Sequence, residues 1–112
     1  MPRYSDGVPP FLLPEPLRAQ LPLLGAQRQL IGPMVYARYR VPDGVWQFYV
    51  TEGEPAGADY RLYGLLMASE DEMDWNWQEV RLSDVARVAG VALDSEFVQG
   101  TFPDSVPHPY CD

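Results

Sequence analysis

The chain has 112 residues, 46% of them hydrophobic and 12% aromatic, and carries 16 acidic residues against 8 basic ones for a net charge of -8. That length suits one domain, and the composition is that of a folded chain and not of a disordered one. The charge repels a phosphate backbone, so direct nucleic-acid binding is disfavoured, while a basic protein partner, a divalent cation or simple solubility is favoured.

In chain order, residues 1–13 read as an extended arm, anchored to the core by Phe11, Leu12 and Leu13. Pro14-Glu15-Pro16 opens a short helix through Leu21, because proline suits a first helical turn, where its missing N–H would be unpaired anyway. Leu17 and Leu21 share a face four residues apart, and Pro22 stops the helix. Residues 23–33 form a loop punctuated by Gly25, Gly32 and Pro33.

A first strand runs from Met34 to Val41. Val35, Ala37, Tyr39 and Val41 are expected on one face, with Tyr36, Arg38 and Arg40 on the other. Val41-Pro42-Asp43-Gly44 has the chemistry of a tight turn. The second strand, Val45 to Glu52, carries bulk on both faces and is expected at the centre of the sheet. Gly53 to Asp59 reads as a flexible hairpin connection. The third strand spans Tyr60 to Met67, and Gly64 inside it implies a bulge or a large neighbour over bare backbone. An acidic turn, Ser69 to Asp74, leads to a fourth strand, Trp75 to Leu82. Ser83 is placed as the N-cap of a short helix, with Asp84 complementing its dipole and Gly90 as its stop. One short strand is expected between Phe97 and Phe102. The fold class is therefore α+β: an antiparallel β-meander of about four strands, with a short N-terminal helix and a short helix after strand four. Residues 14–102 form the single domain, and 103–112 a proline-rich tail.

The residues that could carry chemistry are mostly acids. Glu52, Glu54 and Asp59 are expected at one edge of the meander and make a candidate carboxylate set for Mg²⁺ or Ca²⁺. Glu70, Asp71, Glu72 and Asp74 sit at the opposite edge and, with Trp75 and Trp77, make a candidate partner-binding surface. Two solvated acidic turns are the plainer account, and the alternating Asp/Asn pattern of a calcium loop is absent. Dense aromatics on the strands could stack single-stranded bases, but cross-strand packing explains them more simply. Ser5, Ser69, Ser83, Ser95 and Ser105 lie in no glycine-flanked elbow, and His108 is the sole imidazole. Cys111 has no second thiol for a disulfide or a zinc site. No catalytic residue and no cofactor is expected. With no apolar run of membrane-spanning length and no leader-like N-terminus, the expectation is a cytoplasmic protein.

Trp46-Gln-Phe-Tyr-Val-Thr-Glu52, followed by Tyr63-Gly-Leu-Leu66, resembles a small uncharacterised family found on plasmids, phages and integrative elements. In that family a tryptophan-rich strand ends in Tyr-x-Thr-Glu and an aromatic-Gly-Leu strand follows. The acidic Glu70-Asp-Glu72, the aromatic Trp75-Asn-Trp77 and the segment Leu82-Ser-Asp-Val85 extend the likeness over roughly residues 12–102. The chain departs from the pattern after residue 95, with Ser95-Glu96-Phe97 where the family has a Glu-Arg-Asp run. The resemblance implies a mobile-element setting and names no activity.

The expected function is that of a small acidic protein-binding accessory protein of a mobile genetic element. One form would be an inhibitor of a host defence nuclease, of the anti-CRISPR or anti-restriction type, whose acidic surface occupies a basic groove. One alternative is a carboxylate-metal-dependent hydrolase or nuclease. Another is a single-stranded nucleic-acid binder working through an aromatic sheet face. A homodimer is also compatible with an acidic domain that has an edge strand.

Overall fold

The period-two runs of aromatic and β-branched residues build a five-stranded antiparallel sheet, as their alternation predicts. The computed structural model describes residues 12–42, 44–69 and 75–102. Most of the arm, the turn residue Asp43, the acidic Glu70, Asp71, Glu72 and Asp74, and the tail 103–112 lie outside them.

The described elements are α1 (Glu15–Gln20), β1 (Met34–Val35), β2 (Ala37–Arg40), β3 (Gln47–Ala56), β4 (Asp59–Met67), β5 (Trp75–Arg81), α2 (Leu82–Ala86), β6 (Ala92–Leu93) and β7 (Gly100–Thr101). The main sheet has the order β5-β4-β3-β2-β6, and β1 pairs separately with β7. The architecture is α+β with antiparallel strands and two short helices, and the strand with bulk on both faces, β3, lies at the centre.

Four boundaries differ from the sequence reading. The expected first strand is two strands, because Tyr36 interrupts it and donates its N–H to Val50 O at 2.9 Å. The break turns the chain over, so Val35 enters one core cluster while Ala37 and Tyr39 enter the other. The expected Gly53–Asp59 loop is mostly strand: β3 continues to Ala56 and β4 begins at Asp59, leaving only Gly57 and Ala58 between them. An outside partner for its main chain explains the extension, since Gly53 N–H donates to Pro22 O at 2.9 Å. β6 was not anticipated, and the short strand expected near the end is the two-residue β7. Finally, Ser83 lies inside α2, whose N-cap is Arg81 with no capping side chain of its own.

Both faces of the sheet are covered. Tyr39, Phe48, Val50 and Leu62 pack on one face against Leu12, Leu13, Leu21, Leu82 and Val85. Leu12 and Leu13 are buried in this cluster, Phe11 lies outside the described residues, and the buried Tyr39 hydroxyl donates to Leu12 O. The smaller cluster on the other face contains Val35, Tyr49, Leu65 and Met67, walled by Trp75, Trp77, Phe97 and Phe102. No helix among the described residues is long and apolar enough to cross a membrane.

Candidate functional site

A carboxylate on a central strand must find donors or be expelled, because burying a charge without partners is costly. Glu52 lies on β3 with 0% exposure, and its partners come from the loop after α1. Gly25 N–H donates to its Oε1 at 2.6 Å and Gln27 N–H to its Oε2 at 2.8 Å. Arg28 Nε adds a charged donor to Oε1 at 3.0 Å. Gly25 adopts φ +93°, a left-handed conformation open to glycine, and so aims its N–H at the acid.

The same loop returns the favour through Gln27. Its Nε2 donates to Met34 O at 3.0 Å and to Thr51 O at 2.7 Å, while its Oε1 accepts Met34 N–H at 2.7 Å. Two side chains, one from β3 and one from the loop, therefore fasten residues 25–28 to the sheet by reciprocal polar bonds. Each bond replaces water with a fixed partner, so the loop is held in one conformation.

Past this clasp the chain presents Leu30, 55% exposed, and Ile31, 99% exposed. They rim a pocket of about 220 Å³, whose walls include Arg28, Tyr63, Trp77 and Phe102. The Arg28 guanidinium lies 3.5 Å above the Tyr63 ring centroid. Trp77 stacks beside Tyr63 with centroids 6.0 Å apart, and Phe102 meets Trp77 edge-on at 5.3 Å. Cation–π and offset aromatic contacts of this kind hold the wall together. They also use ring faces that base stacking would need.

The acids expected to form a metal set are not brought together. Glu52 is engaged by the loop, and Glu54 Oε1 accepts Leu24 N–H at 3.4 Å. Asp59 serves α2: it accepts the Ser83 N–H at 3.1 Å and the Ser83 hydroxyl, doing from a neighbouring strand what an N-cap side chain would do. Among the described residues no group of three or more His, Cys, Asp or Glu side chains could hold a metal ion. Burial pushes the Asp59 carboxyl up, but the bonds from Ser83 and Tyr60, with the charge of Arg81, outweigh it and hold the acid below the usual aspartate range.

Of the candidate partner-binding residues, Trp77 lines the pocket, while Trp75 is half-buried and donates its indole N–H to Ser69 O at 2.9 Å. Glu70, Asp71, Glu72 and Asp74 lie outside the described residues, but Met67 and Trp75 face each other across the β4–β5 pair. The acidic connection therefore leaves the end of the sheet opposite the Gly57–Ala58 turn. Half of the acids, Asp6, Asp43, Glu70, Asp71, Glu72, Asp74, Asp104 and Asp112, lie outside the described residues, and of the arginines only Arg3 does. The described framework is close to neutral, and the negative charge of the chain is concentrated in its ends and in residues 70–74.

The sequence reading treated residues 23–33 as plain loop and missed Gln27, Arg28, Leu30 and Ile31. One signal was present: an acid following Val50 and Thr51 on a strand with bulk on both faces needs donors from somewhere, and Gly25 and Arg28 are of the right type. Comparison with family models, curated proteins and solved structures gave no match.

Proposed function

We propose that this chain is a protein-binding module without catalysis of its own, and that its partner seats an apolar side chain in the pocket beside Trp77. The observation that carries this reading is the contrast within one loop. Glu52 and Gln27 fix residues 25–28 rigidly, yet the aliphatic side chains that follow, Leu30 and Ile31, are left in water. A loop ordered in advance loses less entropy on binding, so exposed apolar groups on it make an efficient docking surface. The residue types behind them, tryptophan, tyrosine and arginine, are those in which interface binding energy concentrates. Glu52 is ill-suited to accept a proton from a substrate, because its oxygens already take three donors and it is shut off from solvent.

The proposal extends to the partner's charge. The net charge of -8 and the run Glu70-Asp71-Glu72 favour a basic surface, such as the nucleic-acid groove of a nuclease that a mobile-element accessory protein would inhibit. Tagged protein incubated with nuclease-treated host lysate at low and high salt tests both parts. The reading expects one stoichiometric partner, lost in Ile31→Glu and weakened by salt and by the combined Glu70→Gln, Asp71→Asn and Glu72→Gln changes. Undiminished capture by Ile31→Glu would remove the pocket from the account. Undiminished capture by the triple variant would remove the acidic run.

A further inference from the structure

We propose that the pocket beside Trp77 holds the C-terminal residue of a partner chain, with its α-carboxylate on the terminal nitrogens of Arg28 and its apolar side chain among Leu30, Ile31 and Phe102. This rests on the reading of the pocket as a docking site and names what enters it.

The polar groups of the pocket wall carry the inference. Its side-chain acceptors are engaged: Glu52 takes Gly25 N–H, Gln27 N–H and Arg28 Nε–H, and Gln27 Oε1 takes Met34 N–H. The Gln27 amide nitrogen and the Thr51 hydroxyl donate to main-chain carbonyls of Met34, Thr51 and Tyr63. The groups that remain are donors. A guanidinium carries five N–H groups, and Arg28 uses only the one on Nε. Its two terminal nitrogens have no acceptor among the described residues, and neither has the Trp77 indole N–H. A pocket whose unclaimed groups donate, one of them cationic, is complementary to an anionic acceptor.

Arg28 is held for this from two directions. Its Nε lies 3.0 Å from Glu52 Oε1, and its guanidinium carbon lies 3.5 Å from the Tyr63 ring centroid. The side chain still keeps 37% of its surface exposed, so a ligand can reach the free end. A fork fixed in advance meets a carboxylate through two parallel bonds, a geometry that lysine does not offer. Glu52 decides between anions. Its buried charge offsets that of Arg28, and the chain carries -8 overall, which disfavours the double charge of a phosphate. A carboxylate brings one charge and fits the fork.

Size decides where the carboxylate sits. An apolar cavity of about 150 Å³ holds benzene, so about 220 Å³ takes one side chain with its carboxylate and little more. An internal aspartate or glutamate brings the acid without an apolar group to lie against Leu30, Ile31, Pro33 and Phe102. Among protein groups, only a C-terminal residue carries a carboxylate and an apolar side chain on one Cα. The rest of the partner stays outside the pocket and is free to be basic.

The test titrates the full chain with two synthetic peptides, N-acetyl-Gly-Gly-Gly-Leu as the free acid and as its C-terminal amide, followed by NMR to millimolar concentration. The acid should bind about tenfold tighter or more, as expected for a charge-assisted pair, and should shift the Trp77 indole and Arg28 Nε–H signals. Arg28→Lys keeps the charge and loses the fork; it should lose most of that preference while the Gly25 and Gln27 amide signals stay in place. Equal affinity for acid and amide, or no binding of the acid, would overturn the inference. Equally tight binding of isocaproate, which has the leucine carbon skeleton without a peptide, would overturn it in favour of a free small acid. Ile31→Glu separates it from the reading on which it rests. If that variant weakens acid and amide alike and the wild type prefers neither, the pocket stays a docking site and only the carboxylate is removed.

Discussion

At the scale of single residues, two acids that the sequence offered as metal ligands act as organisers of backbone. Glu52→Ala would strand the Gly25 and Gln27 N–H groups beside a buried void. The Arg28 side chain, 37% exposed, can turn to water, and each N–H left without an acceptor costs about 1–3 kcal/mol, so urea denaturation should show a loss of about 2–4 kcal/mol. Asp59 makes a prediction about pH. Its folded pKa is lowered, so its contribution is present above the ordinary aspartate range near ~4 and is lost as pH falls through the lower folded value. Asp94 shifts the same way: burial raises it, and the Glu96 N–H and Arg38 more than offset this. Asp59→Asn should therefore cost roughly 1 kcal/mol at neutral pH, as loss of a helix cap does, and should flatten the acid limb of the stability profile. An acid limb unchanged in slope would refute the assignment.

At the scale of elements, the register of β3 against β4 turns on Gly64. The pairing slips between Val50 and Glu52, and Gly64 faces the slip. A Cβ built there would lie 1.8 Å from the Tyr49 carbonyl oxygen, a main-chain atom that cannot rotate aside. Gly64→Ala should cost ~3 kcal/mol or more, at the upper end of overpacking, and a denaturation midpoint close to wild type would contradict this. The slip also decides the site. Without it, the residue after Thr51 would fall on the other face, and Glu52 would meet the larger core instead of the loop. The middles of β3, β4 and β5 were legible from β-rich runs set between turn residues, though not the end of β3, and Gly64 announced an irregularity. The turnover at Tyr36 was not legible, because Val35, Ala37 and Tyr39 keep perfect alternation and only the bond from Tyr36 to Val50 breaks it. The capping of α2 was hidden for a related reason: Asp59 lies 24 residues before Ser83, and no local pattern links them.

At the scale of the whole molecule, a nearly neutral framework carries its negative charge on the ends and on the β4–β5 connection. Composition revealed the charge but not this division, which needs the sheet to say which acids are used internally. The pocket was illegible for the same reason. Its walls come from the loop after α1, from β3, β4 and β5, and from Phe102 beyond β7, and only the fold brings them together. What could be read was the stock of parts, tryptophan and tyrosine on the strands, with Trp75 and Trp77 among the candidates for a partner surface. The division also predicts how salt acts. Partner binding driven by residues 70–74 should weaken with ionic strength, while the fold, resting on its apolar core and on the hydrogen bonds that the buried Glu52 accepts, should hold nearly constant from roughly 50 to 500 mM salt. Parallel loss of melting temperature and binding would speak against that separation.

The central claim is that Glu52 builds the docking loop, and amide hydrogen exchange tests it most directly. Exchange at Gly25 and Gln27 is followed by NMR in the wild-type chain and in Glu52→Ala under native conditions. The account predicts both amides strongly protected in the wild type and freely exchanging in the variant, with Phe48, Leu62 and Leu65 keeping their protection. Rapid exchange at Gly25 and Gln27 in the wild type, or protection unchanged by the substitution, would contradict it.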